Sequence, residues 1–321
     1  MKKIIAAAVA TAFVAPAFAA DISISGVMGQ YQINEKNTAN DLDRTSQETA
    51  VSIKASSEGA NGLGVSMTYS LNGTGGADGG ENITITHAAF GKIAVGNVSS
   101  GIDAVDDKTE ILESIDPLTG SADSSILWTL PTFVEGLAVN LSYAPKDGAV
   151  AQPDPGFDAT ADEFKMSLGM EGDSTGRADD ESSVGVAYQA GPVRIAFGTG
   201  SQISQLDARE DVDVAQDVTF FGAQYKANGI MVALENTKFE QTVGGTEDEA
   251  RSIAASYEFG EASLRVLNTK FEADGVDLVD YTAYGVHYNL GGGLKAIVET
   301  GSDSQGSLEH EFTTVGLKYS F

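Results

Sequence analysis

From about residue 20 onward, apolar and polar residues alternate with period two in run after run. Leu63, Val65, Met67, Tyr69 and Leu71 fall on one face of an extended segment, and Gly64, Ser66, Thr68 and Ser70 on the other. The pattern recurs at Leu137–Tyr143, Val184–Tyr188, Val193–Phe197, Thr219–Tyr225, Ile230–Leu234, Ile253–Phe259, Thr282–Leu290 and Val315–Phe321. Such alternation predicts β-strands with one apolar face. No long stretch carries a helical period, so the fold class is all-β.

The connections add a second regularity. Short turns are expected at Gly59–Gly62, Gly91–Lys92, Pro131–Gly136, Gly191–Pro192, Ala227–Gly229, Gly260–Glu261 and Gly291–Gly293. Between them lie longer polar segments at 34–48, 72–82, 98–124, 145–182, 201–216, 238–250, 270–280 and 302–311. Short and long connections strictly alternate. In an up-and-down antiparallel meander this sorts all turns to one end and all loops to the other. A soluble sandwich gives no reason for that sorting. A transmembrane β-barrel does, with short periplasmic turns and longer external loops.

Counting every alternating run gives seventeen, whereas a single-chain bacterial barrel takes an even number, about sixteen here. The run Phe164, Met166, Leu168 and Met170 is assigned to the long fourth loop. As a spanning strand it would put Gly191–Pro192 at the wrong end. After residue 20 no apolar run approaches the ~18 residues of a spanning helix. A membrane crossing would therefore need a closed barrel. The opposite strand faces are rich in Ser, Thr, Gly and Asn, too small to fill a barrel of this size, so the interior should hold water. Tyr143, Tyr188, Tyr225, Tyr257, Tyr288 and Tyr319 lie near strand ends, as interfacial girdles require.

The N-terminus stands apart. Met1-Lys2-Lys3, the apolar stretch Ile4–Val14 and the small-x-small site Ala17-Phe18-Ala19 read as a cleaved secretory signal, residues 1–19. Residues 20–321 then form the barrel. Without Lys2 and Lys3, 17 of the 19 basic side chains remain against 46 acidic ones, a formal charge of −29. Nucleic acid is an unsuited partner for such a surface. There is no cysteine, which rules out thiol nucleophiles and cysteine-ligated metals.

Other chemistry is sparse. His87, His287 and His310 are scattered and form no metal-binding pair. Gly291–Ala296 matches a dinucleotide fingerprint only loosely and sits in a hairpin with no following helix. Residues 211–217, DVDVAQD, lack the glycine and terminal glutamate of an EF-hand loop, and GGADGGEN at 75–82 occurs once. The sequence implies no cofactor; acidic loops could collect Ca2+ through their carboxylates. Basic residues on the polar strand faces are Lys54, Arg194, Arg265, Lys295 and Lys318.

Several segments carry a resemblance. DISISGVMGQY after the signal, AAFGKIAVGN before the third loop, SSILWTLPTFVEGLAVNLSYAP, and the closing VGLKYSF together resemble the general bacterial porins, near their alphaproteobacterial branch. The resemblance covers essentially the whole chain. It implies a sixteen-stranded outer-membrane barrel, usually a homotrimer, that passes small hydrophilic solutes and ions without catalysis. It also implies a third loop folded into the lumen. Asp103, Asp106, Asp107, Glu110, Glu113 and Asp116 would then line one side of a constriction and face the basic wall residues. Leu317, Tyr319 and Phe321 resemble the signal read by the outer-membrane assembly machinery. The chain departs from the family at Asn97, Leu127 and Ala50, where many porins carry arginine. With the net charge, this leans the expectation toward cations. A substrate-specific channel on the same scaffold, or a soluble secreted β-rich adhesin, stays open as an alternative.

Overall fold

The computed structural model describes residues 21–37, 41–72, 81–106, 108–113, 124–145, 180–205, 213–242, 245, 247–305 and 308–321. Sixteen antiparallel strands close into one barrel. In the first half they are β1 (Asp21–Asn37), β2 (Asp41–Glu58), β3 (Gly64–Asn72), β4 (Asn82–His87), β5 (Gly91–Val98), β6 (Ser124–Thr129), β7 (Leu137–Ala144) and β8 (Glu181–Ala190). In the second they are β9 (Val193–Gln205), β10 (Asp213–Ala227), β11 (Ile230–Gln241), β12 (Glu247–Phe259), β13 (Ala262–Ala273), β14 (Val276–Gly291), β15 (Leu294–Gln305) and β16 (Leu308–Ser320). Each strand pairs with its neighbours in sequence, and β1 closes the ring on β16 from Val27↔Ser320 upward. Closure leaves no unpaired edge, the condition a sheet must meet in hydrocarbon.

The two faces are inverted relative to a water-soluble barrel. On β12, Ile253 points outward and is 58% exposed, while its neighbour Ala254 points inward and is fully buried. Ile195, Phe197, Val232, Leu234, Tyr284, Val286, Val315 and Leu317 continue the outward belt. An apolar surface that runs round the molecule is untenable in water and favourable in lipid. Inward positions carry small or polar side chains such as Ser142, Ser183, Ser252, Thr269 and Thr314.

Turn chemistry fits the sorting of connections. Asn228 and Gly229 both have positive φ (53° and 77°), the two-residue hairpin that suits the twist of the flanking strands. The expected turn at Gly91–Lys92 lies one step earlier. The chain turns at Ala88–Phe90, and Gly91 already opens β5. Glycine is needed there because its φ is +81° and a Cβ would lie 2.2 Å from the Thr129 carbonyl oxygen.

Several segments expected as loops are largely strand. Asp274–Gly275 is another two-residue hairpin with positive φ at both positions (54° and 74°), so 270–280 is mostly ladder. The β11–β12, β15–β16 and β1–β2 connections behave alike, paired as far as Glu240↔Glu247, Gln305↔Leu308 and Lys36↔Asp41. Strands of 15 to 18 residues in β1, β2, β10 and β14 exceed the ~9–11 needed to cross a bilayer. Above the apolar belt both faces meet water. Alternation vanishes there, but backbone pairing continues. Ion pairs mark this zone: Lys238–Glu247 (2.6 Å), Arg251–Glu249 (2.5 Å) and Lys270–Asp280 (2.9 Å). The hydrogen bond from Arg251, aided by one from Asn236, holds the Glu249 carboxyl below the usual range against the opposing effect of burial. The expected signal, residues 1–19, and the run 164–170 lie outside the described residues. The barrel closes with sixteen strands without that run, as β7 pairs directly with β8.

Candidate functional site: a loop held inside the barrel

The wall is lowest where the long third connection leaves it. Strands β4, β5 and β6 have only 6, 8 and 6 residues. The β5–β6 register breaks between Val95 and Val98. Within that break Gly96 adopts φ +124°, and a Cβ there would come within 2.2 Å of the Glu81 carbonyl oxygen. Only glycine suits both demands. The chain then turns inward. Residues 100–106 form a compact turn in which Ala104 N–H donates to Ser100 O (3.0 Å), Val105 N–H to Ile102 O (2.9 Å) and Asp103 N–H to the Ser100 hydroxyl (3.0 Å). Residues 108–113 run on along the inside of the wall.

A strip of small wall residues makes room for this backbone. A Cβ on Gly185 of β8 would lie 1.7 Å from the Gly101 carbonyl oxygen. One on Gly198 of β9 would meet Ile102, and one on Gly285 of β14 would meet Leu112. Ile102 and Val105 pack with Ala187, Ala196, Val218 and Phe220. Leu112 packs with Ala254, Leu267, Ala283 and Phe312. Each such buried aliphatic side chain contributes roughly 1.5–3 kcal/mol toward keeping the loop on the wall.

Polar contacts fix the loop along its length. Gly101 N–H reaches the hydroxyls of Ser142 (2.9 Å) and Ser183 (2.8 Å). Arg194 on β9 donates to the Val105 carbonyl (2.6 Å). Glu235 on β11 accepts from Lys108 N–H through one oxygen (2.8 Å), and from Thr109 N–H (3.2 Å) and the Thr109 hydroxyl (2.5 Å) through the other. Arg265 on β13 donates to the Ile111 carbonyl. Glu299 on β15 accepts from Glu113 N–H (2.8 Å) and contacts His287 Nε2 (2.7 Å). The Glu113 side chain ends on Lys318 of β16 (2.6 Å), whose ammonium also meets Glu48 (3.2 Å). Tyr31 donates its hydroxyl to Glu48 (2.9 Å), and its ring lies over Gly29 and Gly316. The result is a closed barrel with a polar lumen, narrowed by one inward loop.

A sequence profile of the Gram-negative porins matches residues 6–319. The chain belongs to this family.

Solved porins share its fold at low identity. The anion-selective porin from Comamonas acidovorans is 12% identical with a TM-score of 0.68, covering 94% of this chain and all of that one. OmpF from Salmonella typhi, in complex with daunomycin, is 13% identical at 0.69, covering 94% and 97%. A mutant of Rh. blastica porin is 18% identical at 0.61, covering 94% and 100%. No curated protein matches the sequence. As a Gram-negative porin the chain is an outer-membrane β-barrel, and family and fold are those of channels rather than enzymes.

In this porin the residues singled out from sequence take different places. Glu113 meets Lys318 and stands 4.0 Å from Lys295. Asp106 is buried against the wall. Asp103 is half-buried and Glu110 exposed; Asp107 and Asp116 lie outside the described residues. Arg194 and Arg265 serve the loop backbone through its carbonyls. Lys54 is exposed on the lumen face of β2, paired in register with Ser23 and Thr68, away from this cluster. Leu127 turns inward onto Ala94 and Val98. Leu317, Tyr319 and Phe321 are outward and exposed. Sequence reasoning missed Glu48, Glu235, Glu299 and Tyr31. Among the described residues no group of three or more His, Cys, Asp or Glu is arranged to hold a metal.

Proposed function

We propose that the chain forms a water-filled channel through which small hydrophilic solutes and ions diffuse passively, with a lean toward cations. The observation that carries this reading is the third loop fastened inside a lumen of polar and small side chains. It constricts the pore without filling it with an apolar core. The cation lean rests on how the fixed positive charges are used. Arg194 and Arg265 are turned to backbone carbonyls, and Lys318 lies between Glu113 and Glu48. Their fields on a passing ion are thereby offset, while the mature chain keeps a formal charge of −29. Rings of uncompensated carboxylate favour cations.

The acidic loop residues and the basic wall residues named above are proposed to frame the constriction, with Glu113, Lys295 and Lys318 at its centre. A homotrimer in outer-membrane lipid is proposed by analogy with the trimeric form of OmpT from Vibrio cholerae. Residues 1–19 are proposed as the cleaved signal. Leu317, Tyr319 and Phe321, on the outward face of the last strand, are proposed as the mark read by the assembly machinery. Reversal potential across a planar bilayer with a KCl gradient tests the selectivity. A potential toward that of K+ supports the reading, and one toward that of Cl− overturns the cation lean.

A further inference from the structure

A polar recess lies on the inner wall toward the end of the barrel where the short turns are. It has a volume of about 250 Å³ and lies between the β12–β13 turn at Gly260–Glu261 and Lys295 of β15. Glu258, Glu261, Ser263, Arg265, Asn289 and Lys295 line it, together with the buried ring of His287. The register sets these side chains along one stripe of wall: Glu258 faces Ser263, Ser263 faces His287, and Asn289 faces Lys295. All its charges belong to the wall, none to the loop, although Arg265 and Lys295 reach the loop as well.

Much of the hydrogen-bonding capacity in this recess is unused. Lys295 is paired in register with Lys318, like charge beside like charge, an arrangement that costs stability unless it is compensated. Glu113 meets Lys318 at 2.6 Å but stands 4.0 Å from Lys295, whose ammonium makes no hydrogen bond among the described residues. Arg265 donates from Nε to Ser263 and from Nη1 to the Ile111 carbonyl, which leaves Nη2 without a partner among the described residues. Asn289 accepts from Gly291 N–H through Oδ1 and keeps its NH2. On the other side, the Glu258 and Glu261 carboxylates form no ion pair or side-chain hydrogen bond among the described residues. Nδ1 of His287 is buried without a partner.

We propose that this recess is a weak binding site for small zwitterions of amino-acid size. The solute's carboxylate lies toward Lys295, Arg265 Nη2 and the Asn289 amide, and its ammonium toward Glu258 and Glu261. The proposal rests on the channel reading above for the solute's access to the lumen. Two cations and two carboxylates leave the recess neutral as a whole but polarised along the wall from β12 to β15. Those strands are three spacings apart, about 14 Å, and Glu258 and Lys295 are long side chains that reach into the gap. A solute carrying both charges satisfies both ends. A plain carboxylate leaves Glu258 and Glu261 unanswered, and a plain amine leaves Lys295 and Arg265. The volume falls just under the about 300–1,000 Å³ of ordinary small-molecule sites, which suits an amino acid. Charge-assisted hydrogen bonds at both ends give selectivity. Water in the lumen keeps the affinity low, as a pore requires if the solute is to leave. The site thus selects a dipolar solute rather than a net charge, independently of the pore's lean toward cations.

Saturation-transfer NMR on the refolded barrel in detergent tests this, because it detects weak binding and does not depend on conduction. The probes are L-alanine, propionate and ethylammonium, which share a small alkyl body and differ in the charged ends they carry. L-alanine should saturate in the millimolar range, and each of the other two should bind about tenfold more weakly. Lys295→Met and Glu258→Gln should each raise the half-saturating L-alanine concentration about tenfold. Lys92→Met, at an inward lysine of β5 on the far side of the barrel, should leave it unchanged. In vesicles, uptake of radiolabelled L-alanine should saturate with the wild type and become linear in concentration with the two variants. Absence of saturable L-alanine binding overturns the proposal, as does binding that survives both Lys295→Met and Glu258→Gln. Propionate or ethylammonium binding as tightly as L-alanine overturns the zwitterion assignment. If one variant fails to form a barrel, the other decides, and the comparison of the three probes needs no variant at all. Binding as expected by a wild type that carries no current would count against the channel reading and leave the site intact. Current without binding would overturn the site alone.

Discussion

Gly185 lies directly beneath Gly101, so close that a Cβ on the wall residue would stand 1.7 Å from the loop carbonyl oxygen. Both atoms concerned belong to backbone or its immediate substituent, and no rotamer change can relieve the clash. Gly185→Ala is therefore expected to lift the front of the loop while the barrel itself still forms. Gly198→Ala should be milder, since the nearest atom is Cγ1 of the flexible Ile102 side chain at 2.8 Å. Single-channel recordings check this: a changed mean conductance for Gly185→Ala and a smaller change for Gly198→Ala. Equal, wild-type conductance in both would contradict the packing argument.

Lys318 is the cation shared by Glu113 and Glu48. Lys318→Met removes it and leaves two carboxylates close together in the lumen. The variant should shift the reversal potential further toward K+, because negative charge in the constriction is no longer offset. It should also lower stability by about 1 kcal/mol, the low end of the cost of losing a charged hydrogen-bond partner, because the site is only partly buried. The shift should shrink at high salt as screening shortens the reach of the charges.

Much of the architecture could be read from the chain because lipid and water impose opposite demands on successive residues. Val184, Val186 and Tyr188 against Ser183, Gly185 and Ala187 announce a strand of a lipid-facing wall. The upper parts of β13–β16 were harder. At Asp277, Asp280 and Glu311 polar residues meet water on both sides, and the alternation that signals a strand is gone although the ladder persists. The loop contacts were hidden for another reason. Glu235 and Glu299 each occupy an ordinary inward position, and nothing local separates an acceptor for loop backbone from a solvated lumen carboxylate. Arg194 and Arg265 stood out as basic wall residues, but their engagement with the Val105 and Ile111 carbonyls depends on contacts 89 and 154 residues apart in sequence.

The C-terminal residue closes the ring. Phe321 exchanges two backbone hydrogen bonds with Gly26 (3.0 and 3.1 Å), its ring packs over Gly26, and it stacks on Tyr319 at 5.9 Å between centroids. Deleting Phe321 is expected to slow folding into vesicles and to lower the temperature at which the barrel unfolds in detergent. Gel mobility with and without heating reads both. A deletion variant that folds at the wild-type rate with unchanged heat stability would remove this closing role.

A charge on the outward face should be costly where the same charge inside is not. Leu234→Arg, in the middle of the outward belt of β11 and level with Ile195, should destabilise the folded barrel by about 2–4 kcal/mol in lipid. Ser66→Arg, on the lumen face of β3 opposite the uncharged Ser56 and Thr84, should change stability by less than about 1 kcal/mol. Denaturant titration of vesicle-inserted protein gives both values.

The inversion of faces is tested most directly by aqueous thiol labelling of single-cysteine variants in intact lipid vesicles. Ser256→Cys points into the lumen and Val232→Cys points outward, on adjacent strands at nearly the same level, with Ser256 facing Met231 in register. A membrane-impermeant maleimide should modify Ser256→Cys rapidly and leave Val232→Cys protected. Rapid labelling of Val232→Cys with Ser256→Cys protected, or equal labelling of the two, would contradict a barrel with hydrocarbon outside and water within.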